Sequence, residues 1–292
     1  MNLCFDLGGT STKVAFFKNE KIVKKETIEY NQSGNIESKE LLKKLVEYIE
    51  SINDFEMIDN ICISSSGLVD SETGNIGGLS AIKNLSKINF INEFKKRFKK
   101  PVYIENDGKC ATLAEITQGN GVGSKNLFIL VLGTGIGGGI VIDGKIHKGS
   151  NLIAGDVGYF FQHNYNGKYT NLSEVAGMYF LTNKYEQISN TSKSGKEIYD
   201  CYLIDKVAKE IIDKQILNLA RAILNVSFTI DVDKVLIGGA ISANELFLKL
   251  LNKKVSELYA GSGMIQNFKI DKCKFLNDSN LIGANQLVKR GK

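Results

Sequence analysis

Arginine is scarce in this chain: of 37 basic residues only three are arginine, Arg97, Arg221 and Arg290. A protein that reads nucleic acid through bidentate guanidinium forks has too few forks here, so no nucleic-acid partner is expected. The lysines that make up the rest read as solvated helix faces, and the net charge of +5 is modest. Proline occurs once and tryptophan not at all, which excludes collagen-like and proline-rich disordered chains. The five cysteines, Cys4, Cys62, Cys110, Cys201 and Cys273, are odd in number and form no CxxC pair. That spacing fits neither a disulfide framework nor a zinc site, and points to reduced, mostly buried thiols. No apolar run approaches the roughly 18 residues that a membrane span needs. The chain opens directly on the apolar strand MNLCFDLGGT, without a signal peptide, so a cytoplasmic protein with no membrane partner is expected.

What the chain does have is length and glycine. Its 292 residues suffice for two compact domains, and 43% hydrophobic with 24% charged residues is the balance of a soluble globular protein. Of 29 glycines, twelve lie between Gly119 and Gly158.

Residues 2–7 (NLCFDL) predict a strand, residues 8–12 a turn, and residues 13–18 and 21–30 two further strands. The segment SKELLKKLVEYIESI predicts a helix, with Leu41, Leu42, Leu45, Val46, Tyr48 and Ile49 on one side. Residues 58–64 predict a buried strand that ends at the loop Ser65-Ser66-Gly67. A basic helix over residues 89–99, a strand over 101–105 and a helix over 110–118 follow. From Leu127 the pattern begins again. LFILVLGTGIGGGIVIDGKI repeats the order of CFDLGGTSTKVAFFKNEKI, so that Gly8-Gly9-Thr10 answers Gly133-Thr134-Gly135 at a period near 125 residues. Two homologous α/β lobes facing a central cleft are the architecture this duplication predicts. A long amphipathic helix over 204–228, a strand over 234–237, a Gly238-Gly239-Ala240 turn, another helix and a closing helix in SNLIGANQLVKRG complete the chain.

Glycine lets backbone N–H groups come close to phosphate oxygens, and two matched glycine turns, each with a threonine, predict a phosphate clamp. Neither is a Walker loop, since GxxxxGK[ST] is absent, and the GxGxxG at Gly133 is followed by a strand and not by a helix. Tight turns alone are the alternative reading. Asp6 interrupts an apolar strand, where a carboxylate is costly to bury unless it is paired or near a metal. A neighbouring Mg²⁺-nucleotide explains it; so would bonds from the turn's own N–H groups. Glu105-Asn106-Asp107 ends a strand and precedes a helix, where ligands of α/β sheets bind. Asp107 is placed to accept a hydroxyl proton during attack on phosphorus, and an Asx helix cap is the structural alternative.

The segments DLGGTSTKVAFF, SSSGLVDSETG, IENDGKCATLAE, LGTGIGGGIVIDGKIHKG and AGDVGY occur in the order of the ROK proteins, the family of repressors, open reading frames and sugar kinases. The resemblance covers essentially the whole chain. It implies an α/β, two-lobed actin-like ATPase fold of ribonuclease H type, as in hexokinase. The implied lobes are residues 1–118 with 281–292, carrying the first phosphate loop and the catalytic aspartate, and residues 119–280, carrying the second loop, the adenosine site and the dimerisation surface. The resemblance makes Asp107 the catalytic base. It assigns Asp6, Gly8, Gly9, Thr10 and Lys13 to the first phosphate loop, Gly133, Thr134 and Gly135 to the second, and Gly238 and Gly239 to the adenosine side. Gly67, Asn84, Asn106, Asp107, Asp156, Tyr159 and Glu174 are the implied sugar contacts. ATP and Mg²⁺ are the implied cofactors, and a homodimer the implied assembly.

Two departures from the family's pattern bear on function. The family usually has AGEIGH, whose histidine serves a structural zinc together with a CxCGxxGC cluster. Here the stretch is AGDVGYFFQHNYNGKYTNLSEVAG, with Tyr159 at the histidine and no cysteine. No structural zinc is therefore expected, because His163 without thiolates is a poor zinc site. Tyr159, Phe160 and Phe161 are expected to hold the loop by apolar packing instead. Asp156 stands where glutamate is usual, and its shorter arm leaves room for a 2-acetamido group. The resemblance thus implies an ATP:hexose 6-phosphotransferase, with N-acetyl-D-mannosamine as the favoured substrate and a place in sialic acid catabolism. A glucokinase or β-glucoside kinase is the alternative within the family, and a sugar-responsive regulator without catalysis the alternative outside the enzymes. Family repressors carry a helix-turn-helix segment ahead of the first strand, which here begins by Asn2.

Overall fold

The computed structural model describes residues 1–30, 35–162 and 169–290. The chain divides into two units, Met1–Thr117 with Asp278–Lys292, and Gln118–Asn277.

The first unit is built on β1 (Asn2–Leu7), β2 (Ser11–Lys18), β3 (Lys21–Glu29), β4 (Asn60–Ser65) and β5 (Val102–Asn106), in the order β3-β2-β1-β4-β5. The first three strands pair antiparallel, while β4 and β5 join parallel. The central strands β1 and β4 are buried along nearly their whole length, as apolar strands covered on both faces are. β3 lies at the edge and keeps its lysines in water. Helix α1 (Ser38–Glu50) buries Leu41, Leu45 and Ile49, one face at four-residue spacing. Helix α2 (Phe90–Phe98) starts where the Asn89 side chain accepts from the amide of Asn92 at 3.0 Å. It buries Phe90, Ile91 and Phe94, and Lys95, Lys96 and Arg97 in its last turn suit the negative end of the helix dipole. Helix α3 (Asp107–Gln118) starts at the candidate base, three residues earlier than its apolar pattern predicts.

The second unit repeats the plan. Strands β6 (Leu127–Leu132), β7 (Ile136–Ile142), β8 (Lys145–His147), β9 (Lys234–Gly238) and β10 (Lys269–Lys272) lie in the order β8-β7-β6-β9-β10, again three antiparallel and then two parallel. The duplication read from two glycine turns thus extends to the order and direction of all five strands. Its helices are α4 (Leu172–Ala176), α5 (Met178–Ser189), α6 (Gly195–Asp200), α7 (Lys206–Ile230) and α8 (Glu245–Gly261). Phe128, Leu130, Ile212, Leu219, Ile237 and Phe247 belong to its core, and Leu3, Phe5, Leu41, Ile63 and Phe90 to that of the first unit.

Helix α9 (Ser279–Arg290) packs on β1, β4 and β5 of the first unit. A Cβ on its Gly283 would lie 1.8 Å from the carbonyl oxygen of Cys110, so glycine is what lets α9 and α3 meet backbone to backbone. None of the five cysteines forms a disulfide; Cys201 is half-buried and the other four are buried. Burial pushes the thiols of Cys4 and Cys110 well above their ordinary value, which keeps them protonated. No described helix is long and apolar enough to cross a membrane.

Candidate active site

Parallel pairing sets the geometry of the first unit's site. Leu7, Ser65 and Asn106, the last residues of β1, β4 and β5, are in register across the sheet. Gly8, Ser66-Gly67 and Asp107 therefore leave the same edge side by side, at the carboxyl ends of parallel strands.

The turn after β1 closes with the Gly8 amide donating to the Ser11 carbonyl at 3.0 Å. A Cβ on Gly8 would sit 2.8 Å from that oxygen, and one on Gly9 would meet Ala81 at 2.9 Å. Neither glycine adopts a positive φ, so close approach is what requires them. The amides of Gly9 and Thr10 have no acceptor among the described residues, and Thr10 is exposed. From behind, the Tyr30 hydroxyl donates to the Gly8 carbonyl at 3.1 Å and is itself bonded to Thr12 Oγ1 at 2.6 Å. Burial pushes the Tyr30 phenol up to about 12, so it stays a donor at any physiological pH.

Asp6 points to the opposite side of β1 from the core phenylalanine Phe5. Its Oδ1 accepts from Ser64 Oγ at 2.9 Å and Asn280 Nδ2 at 3.0 Å, and its Oδ2 lies 3.9 Å from Lys13 Nζ. Burial raises its pKa, and the bonds from Asn280 and Ser64 and the charge of Lys13 pull it back. Side chains from two other elements satisfy this carboxylate, and the turn's own amides do not. Ser64, Asn280, Thr12 and Tyr30 carried no signal in the sequence, because they act on the site across the sheet.

At β5 the side chain of Asn106 does two things. Its Oδ1 accepts from the Lys109 amide at 3.1 Å and caps α3, as the Asx alternative holds. Its Nδ2 donates to Asp107 Oδ1 at 3.0 Å and to the Gly67 carbonyl at 2.9 Å. Asp107 Oδ1 also accepts from the Gly108 amide at 2.8 Å. Gly67, with φ +96°, allows no Cβ, which would lie 2.7 Å from the Gly77 carbonyl.

Asn84 joins the same group through backbone bonds. Ile36 N donates to Gly9 O at 3.2 Å, Lys83 N to Ile36 O at 2.9 Å and Ser38 N to Lys83 O at 2.9 Å. Ser38 Oγ then donates to Asn84 O at 2.8 Å, and Asn84 Nδ2 to Glu37 at 2.9 Å. A 2.6 Å bond between the Ser66 and Ser80 hydroxyls ties this loop to that of Gly67. All first-unit candidates thus belong to one connected edge.

The second unit presents the matching arrangement. Gly133 N donates to Gly135 O at 2.9 Å, and the next two amides, of Thr134 and Gly135, have no acceptor among the described residues. The turn's carbonyls are held instead: Met178 N donates to Gly133 O at 3.0 Å and Tyr179 N to Thr134 O at 3.1 Å, from the first turn of α5. Gly239, at φ +87°, packs on the end of β6, where a Cβ would lie 1.9 Å from Leu132 O. The Gly238-Gly239 turn and the Gly133 turn therefore adjoin. The glycine run in β7 admits the loop of Asp156: a Cβ on Gly138 would lie 2.9 Å from Gly155 O, and one on Gly155 2.8 Å from Gly139 Cα. Asp156 is half-buried, and its carbonyl accepts from the Tyr159 amide at 3.1 Å. Glu174 is exposed and forms a capping box with Asn171, accepting from its amide at 2.9 Å.

One sequence expectation fails here. Tyr159 and Phe161 do not pack inward; they are 64% and 55% exposed, and Phe161 meets Tyr169 at 4.4 Å between ring centroids. Only Phe160 packs against the core. Tyr159 ends a short 3₁₀ turn, Val157–Tyr159, and Phe161 enters a two-residue ribbon with Thr170–Asn171, neither of which a run of three aromatics in the sequence reveals. His163 lies outside the described residues. Among the described residues no group of three or more His, Cys, Asp or Glu is placed to hold a metal.

The donor set suits a polyphosphate with a hard cation. Each turn offers two adjacent open amides, and a Cβ on Gly133 would meet only Gly135 O, at 4.0 Å, so the missing side chain leaves space at the turn. Asp6 supplies one carboxylate beside the turn; Mg²⁺ takes one or two carboxylates together with phosphate oxygens.

The ROK family model matches residues 2–291. A β-glucoside kinase of Listeria monocytogenes is 28% identical, over 96% of this chain and 94% of its own. An N-acetylmannosamine kinase of Haemophilus influenzae is 25% identical, over 98% and 95%. The crystal structure of a ROK family protein from Streptococcus pneumoniae in complex with sucrose superposes with a TM-score of 0.88 at 27% identity, over 100% and 99% of the two chains. The fold is the actin-like ATPase fold of ROK sugar kinases.

Proposed function

Since the chain belongs to the ROK family, we propose that it is an ATP-dependent sugar kinase that phosphorylates the 6-hydroxyl of a hexose. The observation that carries this reading is the pair of glycine turns, each with two neighbouring amides free to donate, on sheets of identical strand order. Such amides stabilise charge on a transferring phosphoryl group without reorganising, which is where catalysis of phosphoryl transfer lies.

In this reading the sugar hydroxyl oxygen attacks the γ-phosphorus. A new O–P bond forms, the bond from the γ-phosphorus to the bridging oxygen breaks, ADP departs, and the hydroxyl proton passes to Asp107. Asn106 and the Gly108 amide hold the Asp107 carboxylate in place for that transfer. Gly9, Thr10, Thr134 and Gly135 donate to phosphate oxygens, Lys13 adds a positive charge, and Gly238 and Gly239 line the adenosine side. Mg²⁺, when bound with the nucleotide, neutralises phosphate charge, and Asp6 is the residue that would hold it. Gly67, Asn84, Asn106, Asp156, Tyr159 and Glu174 contact the sugar. The enzyme works as a cytoplasmic homodimer, which light scattering of the purified protein tests.

Two finer readings of the substrate follow. N-acetyl-D-mannosamine is favoured by the short arm of Asp156, and β-glucosides by the 28% identical kinase of that name. ADP release measured with ATP, Mg²⁺ and a panel of hexoses, N-acetylhexosamines and β-glucosides decides between them. Turnover with none of these, but binding of one, would leave a sugar-responsive regulator.

A further inference from the structure

Ser173 stands where three parts of the second unit meet, and no sequence motif singles it out. Its hydroxyl accepts from the amide of Ile136, the residue directly after the Gly133-Thr134-Gly135 turn, at 3.0 Å. A Cβ on Gly135 would come within 3.3 Å of that hydroxyl, so the last residue of the turn packs against Ser173. Gly158, two residues past Asp156, is wedged between the same hydroxyl and Ile136 O, at 2.5 and 2.0 Å from where its Cβ would be. On its own helix, Ser173 precedes Glu174.

Helix α4 is itself held rigidly. At its start stands the Asn171–Glu174 capping box. At its end the buried side chains of Gln215 and Asn218, on α7, donate to the carbonyls of Ala176 and Val175 at 2.9 and 3.2 Å. Tyr199 in turn donates to Gln215 at 2.7 Å. The Ser173 carbonyl accepts from Gly177 N at 3.0 Å, and Gly177 leads into the two α5 amides that hold the turn's carbonyls. A displacement of α4 of even a fraction of an ångström therefore moves the Gly133 turn, the Asp156 loop and Glu174 together, because close-packed backbone leaves no slack.

We propose that Ser173 is a positioning residue that couples the sugar-side segment, Asp156 and Glu174, to the phosphate-binding amides of Thr134 and Gly135. This rests on the sugar-kinase reading of the site. Sugar that engages Asp156 and Glu174 fixes α4, and through the Ser173 hydroxyl it fixes the turn that receives the nucleotide's phosphates. Binding of sugar and of nucleotide then reinforce one another by a common factor, as linkage requires.

The test measures that factor. Calorimetric titration of the purified protein with a non-hydrolysable ATP analogue and Mg²⁺, with and without the sugar that the panel identifies, gives the tightening that sugar produces. Ser173→Ala is expected to cut that tightening at least threefold, to weaken the analogue alone about fivefold, and to leave the affinity for sugar alone within twofold. Ser173→Cys, which keeps a weak acceptor of similar size, is expected to recover part of the coupling, and it stands in if the alanine variant does not fold. An unchanged coupling factor in both variants overturns the proposal, and so does an equal loss of both affinities that tracks a fall in Tm. The kinase reading fails separately, if the wild-type protein binds no nucleotide or turns over no sugar. In the latter case the analogue's affinity for Ser173→Ala, measured without sugar, still decides whether the hydroxyl sets the turn.

Discussion

The side-chain amide of Asn106 donates to the carboxylate of Asp107 at 3.0 Å while holding the Gly67 carbonyl at 2.9 Å. One residue thus sets the orientation of the candidate base and the position of the neighbouring sugar-side loop. Asp107→Asn keeps the size and the acceptor oxygen of this network and removes the proton acceptor. It is expected to bind sugar within about twofold of wild type and to lose at least ~100-fold in kcat. Turnover near wild type in the ADP-release assay refutes the assignment.

The glycines of the second unit separate stability from catalysis. Alanine at Gly133 meets only Gly135 O, at 4.0 Å, so Gly133→Ala is expected to change stability by less than about 0.5 kcal/mol. Its methyl group occupies the space at the turn, and the KM for ATP is expected to rise about tenfold. Alanine at Gly158 would stand 2.0 Å from Ile136 O, and is expected to destabilise by about 3 kcal/mol through overpacking. Thermal melts and ATP kinetics on the two variants check both signs.

Asp6 carries a pH signature. Burial raises its carboxyl above the ordinary 3.8 despite the bonds from Asn280 and Ser64. In the interval between the unfolded and the raised folded pKa the native state holds the extra proton, so stability falls as pH rises through it. Below that interval the penalty is absent; at neutral pH it is present in full. Asp6→Asn keeps acceptors for Ser64 and Asn280 and removes the charge. Its Tm is expected to exceed that of wild type at pH 7, with the gap closing below about pH 4. Activity is expected to fall at the same time, a trade of stability against function. A Tm difference that is constant with pH contradicts this account.

Metal dependence is expected to be confined to the nucleotide. Elemental analysis of the purified protein is expected to show no stoichiometric zinc, and a chelator to leave Tm unchanged while abolishing turnover until Mg²⁺ is restored. Loss of folding on chelation would sink the expectation that the AGDVGYFF stretch needs no zinc.

Gly283→Ala probes the return of the chain to the first unit. With 1.8 Å between the new methyl carbon and Cys110 O, α9 has to shift away from α3, and a loss of about 3 kcal/mol in chemical denaturation is expected. Because Asn280 on the same helix bonds Asp6, activity is expected to fall as well. A stable, fully active variant shows that α9 has freedom the packing denies.

Much of the site was legible because its residues act where they stand in the chain. Gly8, Asp107 and Gly133 directly follow strands, and Asp6 and Gly238 stand in the last two residues of theirs; strand ends are written in apolar runs stopped by glycine and polar residues. The residues that hold them were not legible. Ser64 and Asn280 reach Asp6 from other elements, and Tyr30, bonded to Thr12, reaches Gly8; Gln215 and Asn218 sit inside a stretch whose pattern reads only as helix, and Ser173 in one that no pattern marks. The misreading of Tyr159 and Phe161 has the same root: apolarity predicts burial, but both side chains, one at the end of a 3₁₀ turn and one in a short ribbon, stay exposed.

The sequence by itself determined most strands, the longer helices, the duplicated plan and the family, since each rests on local periodicity and on motifs in order; α4, α5, α6 and β10 were not read from it. The scarcity of arginine already implied that any phosphate would be met mainly by backbone. Only the tertiary structure decided how that backbone is made available. Register across parallel strands brings Leu7, Ser65 and Asn106 to one edge, and the Tyr30 hydroxyl and the backbone amides of Ile36, Met178 and Tyr179 take up the turns' carbonyls. The glycines then serve close approach at Gly8 and Gly138 and a left-handed φ at Gly67 and Gly239, a division that composition cannot show because it depends on which backbone lies a few ångströms away.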